Sequence, residues 1–316
     1  MMDYTEFKEK VRNVLEGKLG KNAAVLIHTV QKLNMGELET FHIMEEGEDD
    51  GSATPNFYIK LLYSEYESGC TIDGIAEKVL RLYEKSREDF PKEERENVLE
   101  RLKTYAGCRK YIYFRIVNTE RNSSILGRRI HRSFLDLSMI LYILVKCDGE
   151  RIASVPLTGD MLKIWNVTEQ EVFEQAVRNT PLLFPAKVSR MSDVINHFFG
   201  VPEDAENGNC MDVPCNFPII SNEKGINGFS AVFYKGVLGN LAKKLDSDFC
   251  ILPSSTHEAL VIPDKNGIDV NEMWEMVKEV NATTVSEEDF LSDNVYHYSR
   301  EKGELKIMTA EVTVHV

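Results

Sequence analysis

The stretch Asp248-Phe249-Cys250-Ile251-Leu252-Pro253-Ser254-Ser255-Thr256-His257-Glu258-Ala259-Leu260-Val261-Ile262 decides how this chain is read. Two apolar runs, residues 248–252 and 259–262, flank a knot of turn-forming polar residues, which is the pattern of a β-hairpin. A hairpin tip brings a hydroxyl, an imidazole and a carboxylate to solvent together, so Ser255, His257 and Glu258 are the candidate catalytic residues.

The same pattern recurs outward from this stretch. Residues 134–146 and 151–157 flank Cys147-Asp148-Gly149-Glu150, whose Asp-Gly pair signals a second hairpin. Its first arm is nearly continuous in apolar residues, as expected of a central strand covered on both faces. Further strand pairs are expected at 23–30 with 39–44, at 217–220 with 228–233, and at 295–299 with 304–308. Helical periodicity marks 3–19, a segment opening at Thr71, 92–105, 237–245 and 270–280, and Thr168-Glu169-Gln170-Glu171 is a capping box for a helix that Pro181 ends. Residues 45–51 and 200–214 read as connections, rich in acidic residues and in Gly, Asn, Asp and Pro respectively. Hairpins with helices between them, and no alternation of strand and crossover helix, give an α+β fold with mostly antiparallel sheets packed against helices. We divide it into an N-terminal lobe over 1–127 and a C-terminal lobe over 128–316. No Gly-rich phosphate cradle follows any expected strand, which argues against a nucleotide-binding α/β fold.

The chain has 316 residues, 43% of them hydrophobic, and can bury a sizeable core. Its first residues are charged, so no secretory leader is expected, and the longest apolar run, 137–145, is too short for the roughly 20 residues of a membrane helix. Six sparse cysteines without paired spacing, apart from Cys210 and Cys215, point to the cytoplasm and to no metal site or cofactor. The net charge is −14, yet residues 101–135 hold nine basic residues against Glu120 alone. That stripe therefore carries +8 and the remainder −22. It either packs against the protein's own acidic runs, such as residues 45–50, or receives an anionic ligand.

Several phrases belong together. They are Val117-Asn118-Thr119-Glu120-Arg121-Asn122, then His131 with Phe134-Leu135-Asp136-Leu137, then Trp165 ahead of the capping box, then Ile251 to Glu258, and finally Glu279-Val280-Asn281-Ala282-Thr283 with Leu291-Ser292-Asp293-Asn294-Val295-Tyr296. In order through almost the whole chain they resemble an uncharacterised bacterial family of anaerobic Gram-positive gut bacteria, frequent on mobile elements. Residues 134–263 are also similar to a second uncharacterised family, with a Pro-Asn-Arg-Asp type of turn where this chain has Pro253 to Glu258. Neither resemblance implies an activity, a cofactor or a catalytic residue.

Ser255, His257 and Glu258 supply a nucleophile, a base and an acid, but neighbours on a strand point to opposite faces, whereas a triad converges from different elements. The alternative is that the hydroxyls satisfy backbone groups of the turn. Asn118, Glu120 and Asn122 could hold a hard cation or a ligand's polar groups, or simply start a helix. With Arg128, Arg129, His131 and Arg132 they make up the expected ligand-binding set, and a local hydrogen bond is expected between His131 and Asp136. The reading that follows is a cytoplasmic, non-enzymatic binding or regulatory protein that grips an anionic ligand or a protein partner. The alternative is a hydrolase or transferase acting on an anionic substrate with His257 as base. A nucleic-acid accessory role is less favoured, because proteins that neutralise phosphates usually carry a basic surplus.

Overall fold

The computed structural model describes residues 2–45, 55–149, 151–192, 217–264 and 269–308. Contacts group the chain into two units, Met1–Lys103 and Thr104–Val316. The expected loop over 45–51 beyond Glu45, the connection over 200–214 and the pair Cys210 and Cys215 lie outside the described residues.

In the first unit, helix α1 (Tyr4–Leu19) is capped by the Asp3 carboxylate, which accepts the Glu6 N–H, and Gly20 ends it at φ 77°. Its apolar residues recur at the spacing of one helix face, so Phe7, Val11 and Leu15 are fully buried, each worth roughly 1.5–3 kcal/mol. Strands β1 (Ala23–Lys32) and β2 (Gly36–Glu45) form a ladder from Ala23 opposite Glu45 to Lys32 opposite Gly36. Strand β3 (Phe57–Tyr58) extends that sheet, followed by α2 (Ile59–Glu67), α3 (Ile72–Asp89) and α4 (Lys92–Leu102). Tyr63 and Tyr66 pack against the core formed by α1, β1, β2 and α3.

The second unit opens with the short helix α5 (Tyr105–Cys108) and strand β4 (Ile112–Asn118), followed by α6 (Ser123–Leu126), β5 (His131–Phe134), β6 (Leu137–Asp148) and β7 (Arg151–Pro156). Strand β4 pairs with Leu137 to Ile143 along one edge of β6. On the opposite edge β5 pairs with the first residues of β6 and β7 with the last, so β6 is the central strand that its composition suggested. Sequence reading began this strand at residue 134. Phe134 instead ends β5, and Leu135-Asp136 form a two-residue hairpin loop between the paired Phe134 and Leu137. The sheet bridges residues 127 and 128, where the lobes were expected to divide, and the contacts divide the chain earlier, after Lys103.

Helices α7 (Gly159–Trp165) and α8 (Glu169–Leu183) follow, the latter with the Thr168 capping box formed on both sides. Pro181 sits inside the last turn instead of ending the helix ahead of it. A second sheet has the order β13-β12-β10-β11-β9-β8, from β8 (Ala186–Arg190), β9 (Pro218–Asn222), β10 (Phe249–Pro253), β11 (Ala259–Pro263), β12 (Tyr296–Ser299) and β13 (Glu304–Ile307). The hairpin read at 248–262 is its centre, with Phe249 opposite Pro263 and Pro253 opposite Ala259. Helices α9 (Val237–Leu245) and α10 (Val270–Thr283) complete the unit. Every described strand pair is antiparallel, and the fold is α+β. No helix among the described residues is long and apolar enough to cross a membrane.

One expected strand is absent. Gly228–Phe233 is a 3-10 helix, entered through Asn227 in the left-handed region at φ 53°. Its apolar run is buried from Gly228 to Val232 rather than on alternate residues, so helical packing explains the composition as well as a covered strand would. Gly228 is required by contact, since a Cβ there would collide with Ser221 Oγ and the His257 carbonyl and lie 2.8 Å from Asn222 N. Gly228→Ala is expected to lower stability by at least about 2 kcal/mol, measured by equilibrium denaturation, and an unchanged midpoint would contradict this packing.

Candidate functional site

The polar knot of the central hairpin is built by its own hydrogen bonds. Ser255 Oγ accepts the His257 N–H, Thr256 N donates to the Asp289 carbonyl, and the Thr256 carbonyl accepts Phe229 N–H. Ser221 Oγ on β9 donates to the His257 carbonyl at 2.8 Å. The imidazole is held at both nitrogens. Nδ1 accepts the Asn227 backbone N–H at 3.1 Å, which fixes the tautomer, so Nε2 carries the proton and donates to Asp289 Oδ1 at 2.9 Å. Asp289 belongs to the short 3-10 helix Glu287–Asp289, and Ser286 Oγ occupies its other oxygen. The imidazole does meet a carboxylate from a distant element, but its lone pair is already taken by an amide. Ser255 is committed to the turn backbone, and Glu258, half-buried, makes no side-chain hydrogen bond among the described residues. Cys250 on β10 is buried, and burial pushes its thiol up to about 11, so it offers no thiolate at neutral pH.

A second constellation begins three residues after Asp289 of that clamp. Asp136, at the tip of the β5–β6 hairpin, accepts three side-chain hydrogen bonds from one stretch ahead of and into β12. Ser292 Oγ at 2.6 Å and Asn294 Nδ2 at 3.0 Å reach Oδ2, and Tyr296 Oη at 2.7 Å reaches Oδ1. Burial, and then the neighbouring Asp136 carboxylate, raise the Tyr296 phenol far above its ordinary range. Asn118 Nδ2 donates to the Leu291 carbonyl while its Oδ1 accepts Arg121 N–H, and the fully buried Asn122 donates back to the Asn118 carbonyl. Thr119 N–H meets the Asp136 carbonyl.

These bonds frame an open cleft of about 470 Å³, lined by residues 118–121, by Leu135 and Asp136, and by Phe290, Asp293 and Asn294. Its volume is that of a small-molecule site. The Arg121 guanidinium lies 3.5 Å from the Phe290 ring centroid and makes no hydrogen bond or ion pair among the described residues. Glu120 makes no side-chain hydrogen bond among the described residues either, and Asp293 accepts one from Asn281 at 2.8 Å. Leu135 is 46% exposed at φ 51°. A two-residue loop demands a positive φ there, and a leucine in that region costs roughly 1–2 kcal/mol.

Of the expected ligand set, only Asn118 and Glu120 line the cleft. The side chains of Asn118 and Asn122 are taken up within the protein, Asn122 as the residue from which α6 starts, and no cluster of metal-ligating side chains occurs among the described residues. Arg128 is exposed elsewhere. Arg129 is partly buried, which lowers its guanidinium pKa, and its carbonyl accepts the His131 Nδ1–H at 3.0 Å, while Asp136 is bonded by Ser292, Asn294 and Tyr296 instead of the expected His131. Arg132 lies over Phe173 and donates to Gln170. Sequence reading counted Arg121 only as part of the basic stripe and passed over Thr119, Leu135, Phe290, Asp293 and Asn294 as site residues. The available signal was the polar run Ser292-Asp293-Asn294, with no strand or helix period of its own. The model of a family described as of unknown function, DUF5688, matches residues 4–300. No curated protein and no solved structure matches the chain.

Replacing Tyr296 by Phe removes one bond to a carboxylate and is expected to lower stability by about 1.5–3 kcal/mol, read by chemical denaturation; no change would show that the phenol does not hold Asp136. Leu135→Gly is expected to be about 1 kcal/mol more stable than Leu135→Ala, and equal midpoints would mean that the turn stores no strain.

Proposed function

We propose, from the premise that this chain belongs to that family of unknown function, that it is a non-enzymatic binding or regulatory module whose partner occupies the Asn118–Arg121, Asp136 and Phe290–Asn294 cleft. One observation carries the reading: the guanidinium of Arg121 lies over Phe290 at 3.5 Å with its donors unused by described residues, above a floor whose polar groups bond one another. A cation oriented by an aromatic face and left without an internal acceptor is suited to receive a ligand's acceptor. The enzyme alternative draws less support, because a base at His257 must first release the Asn227 N–H from Nδ1. The nucleic-acid alternative is weakened by Glu120 and Asp293, which line the same cleft as Arg121.

We place the protein in the cytoplasm of a bacterium, on the sparse cysteine content and on Cys70, Cys108, Cys147 and Cys250 being free thiols, which suits a reducing compartment. The mobile-element setting comes from the resemblance alone.

The test is a thermal-shift screen of small metabolites and short peptides against the wild type and Arg121→Ala. A ligand at about 100 times its Kd adds roughly 2.7 kcal/mol, or about 5–10 °C for a unit of this size. The expected result is stabilisation of the wild type that the variant loses while its unliganded midpoint stays in place. Hits that persist in the variant, or turnover that disappears in His257→Ala, would overturn the proposal.

A further inference from the structure

The cleft's chemistry narrows the class of ligand, and this narrowing rests on the binding reading above. Its free groups have mixed sign. Arg121 offers hydrogen-bond donors from a guanidinium stacked on Phe290, whereas Glu120 and Asp293 offer carboxylate oxygens. Asp136 contributes little further capacity, since three protein donors already occupy its two oxygens. A simple anion would meet one cation and two carboxylates, and a simple cation would pair with the carboxylates but leave the Arg121 donors without an acceptor. A molecule carrying both charges satisfies both.

Leu135 adds an apolar element. It is nearly half exposed, and its backbone is held at φ 51°, where an L side chain is disfavoured and glycine is the usual occupant. An exposed leucine in this conformation makes no return to the core that would offset either penalty. Strain of this kind concentrates where a side chain is presented to a ligand. The volume of about 470 Å³ admits a compact molecule and its hydration, well short of a folded partner.

We propose that the cleft binds a small zwitterion with an aliphatic side chain, of the class of a free aliphatic α-amino acid. Its carboxylate pairs with the Arg121 guanidinium, its ammonium with the carboxylates of Glu120 and Asp293, and its side chain packs on Leu135.

The experiment is isothermal titration calorimetry on the full chain with four probes: L-leucine, 4-methylpentanoate, which lacks the ammonium, isopentylamine, which lacks the carboxylate, and glycine, which lacks the side chain. L-leucine is expected to bind at least ten-fold more tightly than each of the others. Arg121→Ala and, as an independent exposed change, Glu120→Gln are each expected to weaken it at least ten-fold while circular dichroism stays unaltered. Binding of either single-charge probe as tightly as L-leucine, or L-leucine binding indifferent to both substitutions, overturns the ligand class. If the four probes fail while the metabolite screen yields hits that Arg121→Ala abolishes, the class is wrong and the binding site stands. If both fail, the binding reading falls with it.

Discussion

The second unit's cleft depends on one carboxylate at the tip of a hairpin. Asp136 has no partner across the strand ladder, because it lies in the two-residue loop between the paired Phe134 and Leu137. Its oxygens are therefore available to whatever crosses the tip, and the donors of Ser292, Asn294 and Tyr296 converge on them. The stretch from Phe290 to Val295 contains no regular secondary structure and so no ladder of its own. Besides those donors, the segment is held by Asn118 on the Leu291 carbonyl, by Asn281 on the Ser292 carbonyl and the Asp293 carboxylate, by the Met308 N–H on the Val295 carbonyl, and by the buried Leu291 and Val295. Hydrogen bonds to a carboxylate are roughly twice as strong as neutral ones, which is why one residue can fix a segment of this length. Two residues before Leu291, Asp289 receives the His257 imidazole, so the clamp at the central hairpin and the wall of the cleft are parts of one continuous run of chain.

The charge distribution takes a different form in space than along the sequence. Arg101 and Lys103 belong to the first unit and the remaining stripe residues to the second. Within the second unit, Arg115 lies over Tyr142 at 4.2 Å and bonds Ser154, Arg132 covers Phe173 at 4.1 Å, and Arg121 covers Phe290. These arginines use their flat faces on aromatic rings, an arrangement that lysine could not reproduce with the same geometry. Of the acidic run over 45–50 only Glu45 is among the described residues, and it pairs with Arg87 of α3. A stripe dispersed onto rings supplies local cations, each with its own setting, and Arg121 is one that lines a cleft.

Local patterns were legible where one period governed a segment. The caps at Asp3, Thr71 and Thr168, the ladder of the 248–262 hairpin, and the doubly paired β6 all follow from spacing. The misreadings share a cause. At Leu135-Asp136 a turn needing positive φ lacks the glycine that would advertise it, so β5 was merged into the approach to β6. At Gly228–Phe233 complete burial removes the alternation that separates a strand from a helix. Strand β8 is mostly exposed at the edge of its sheet, and little apolar pattern marks it. The cleft was hidden for a further reason: it joins residues about 170 positions apart, such as Asn118 and Leu291, whose bond no local rule connects. The phrases that carried the resemblance contain nearly all of its lining, yet a phrase gives no pairing.

Amide hydrogen exchange on the wild type and Asp136→Asn tests this account most directly, because it reads the placement of the 289–296 segment residue by residue. The account predicts loss of protection confined to residues 291–296 and the 118–122 loop, with the β10–β11 ladder as protected as before. Unchanged protection at 291–296, or an equal loss throughout the second unit, would contradict the claim that this carboxylate holds the cleft.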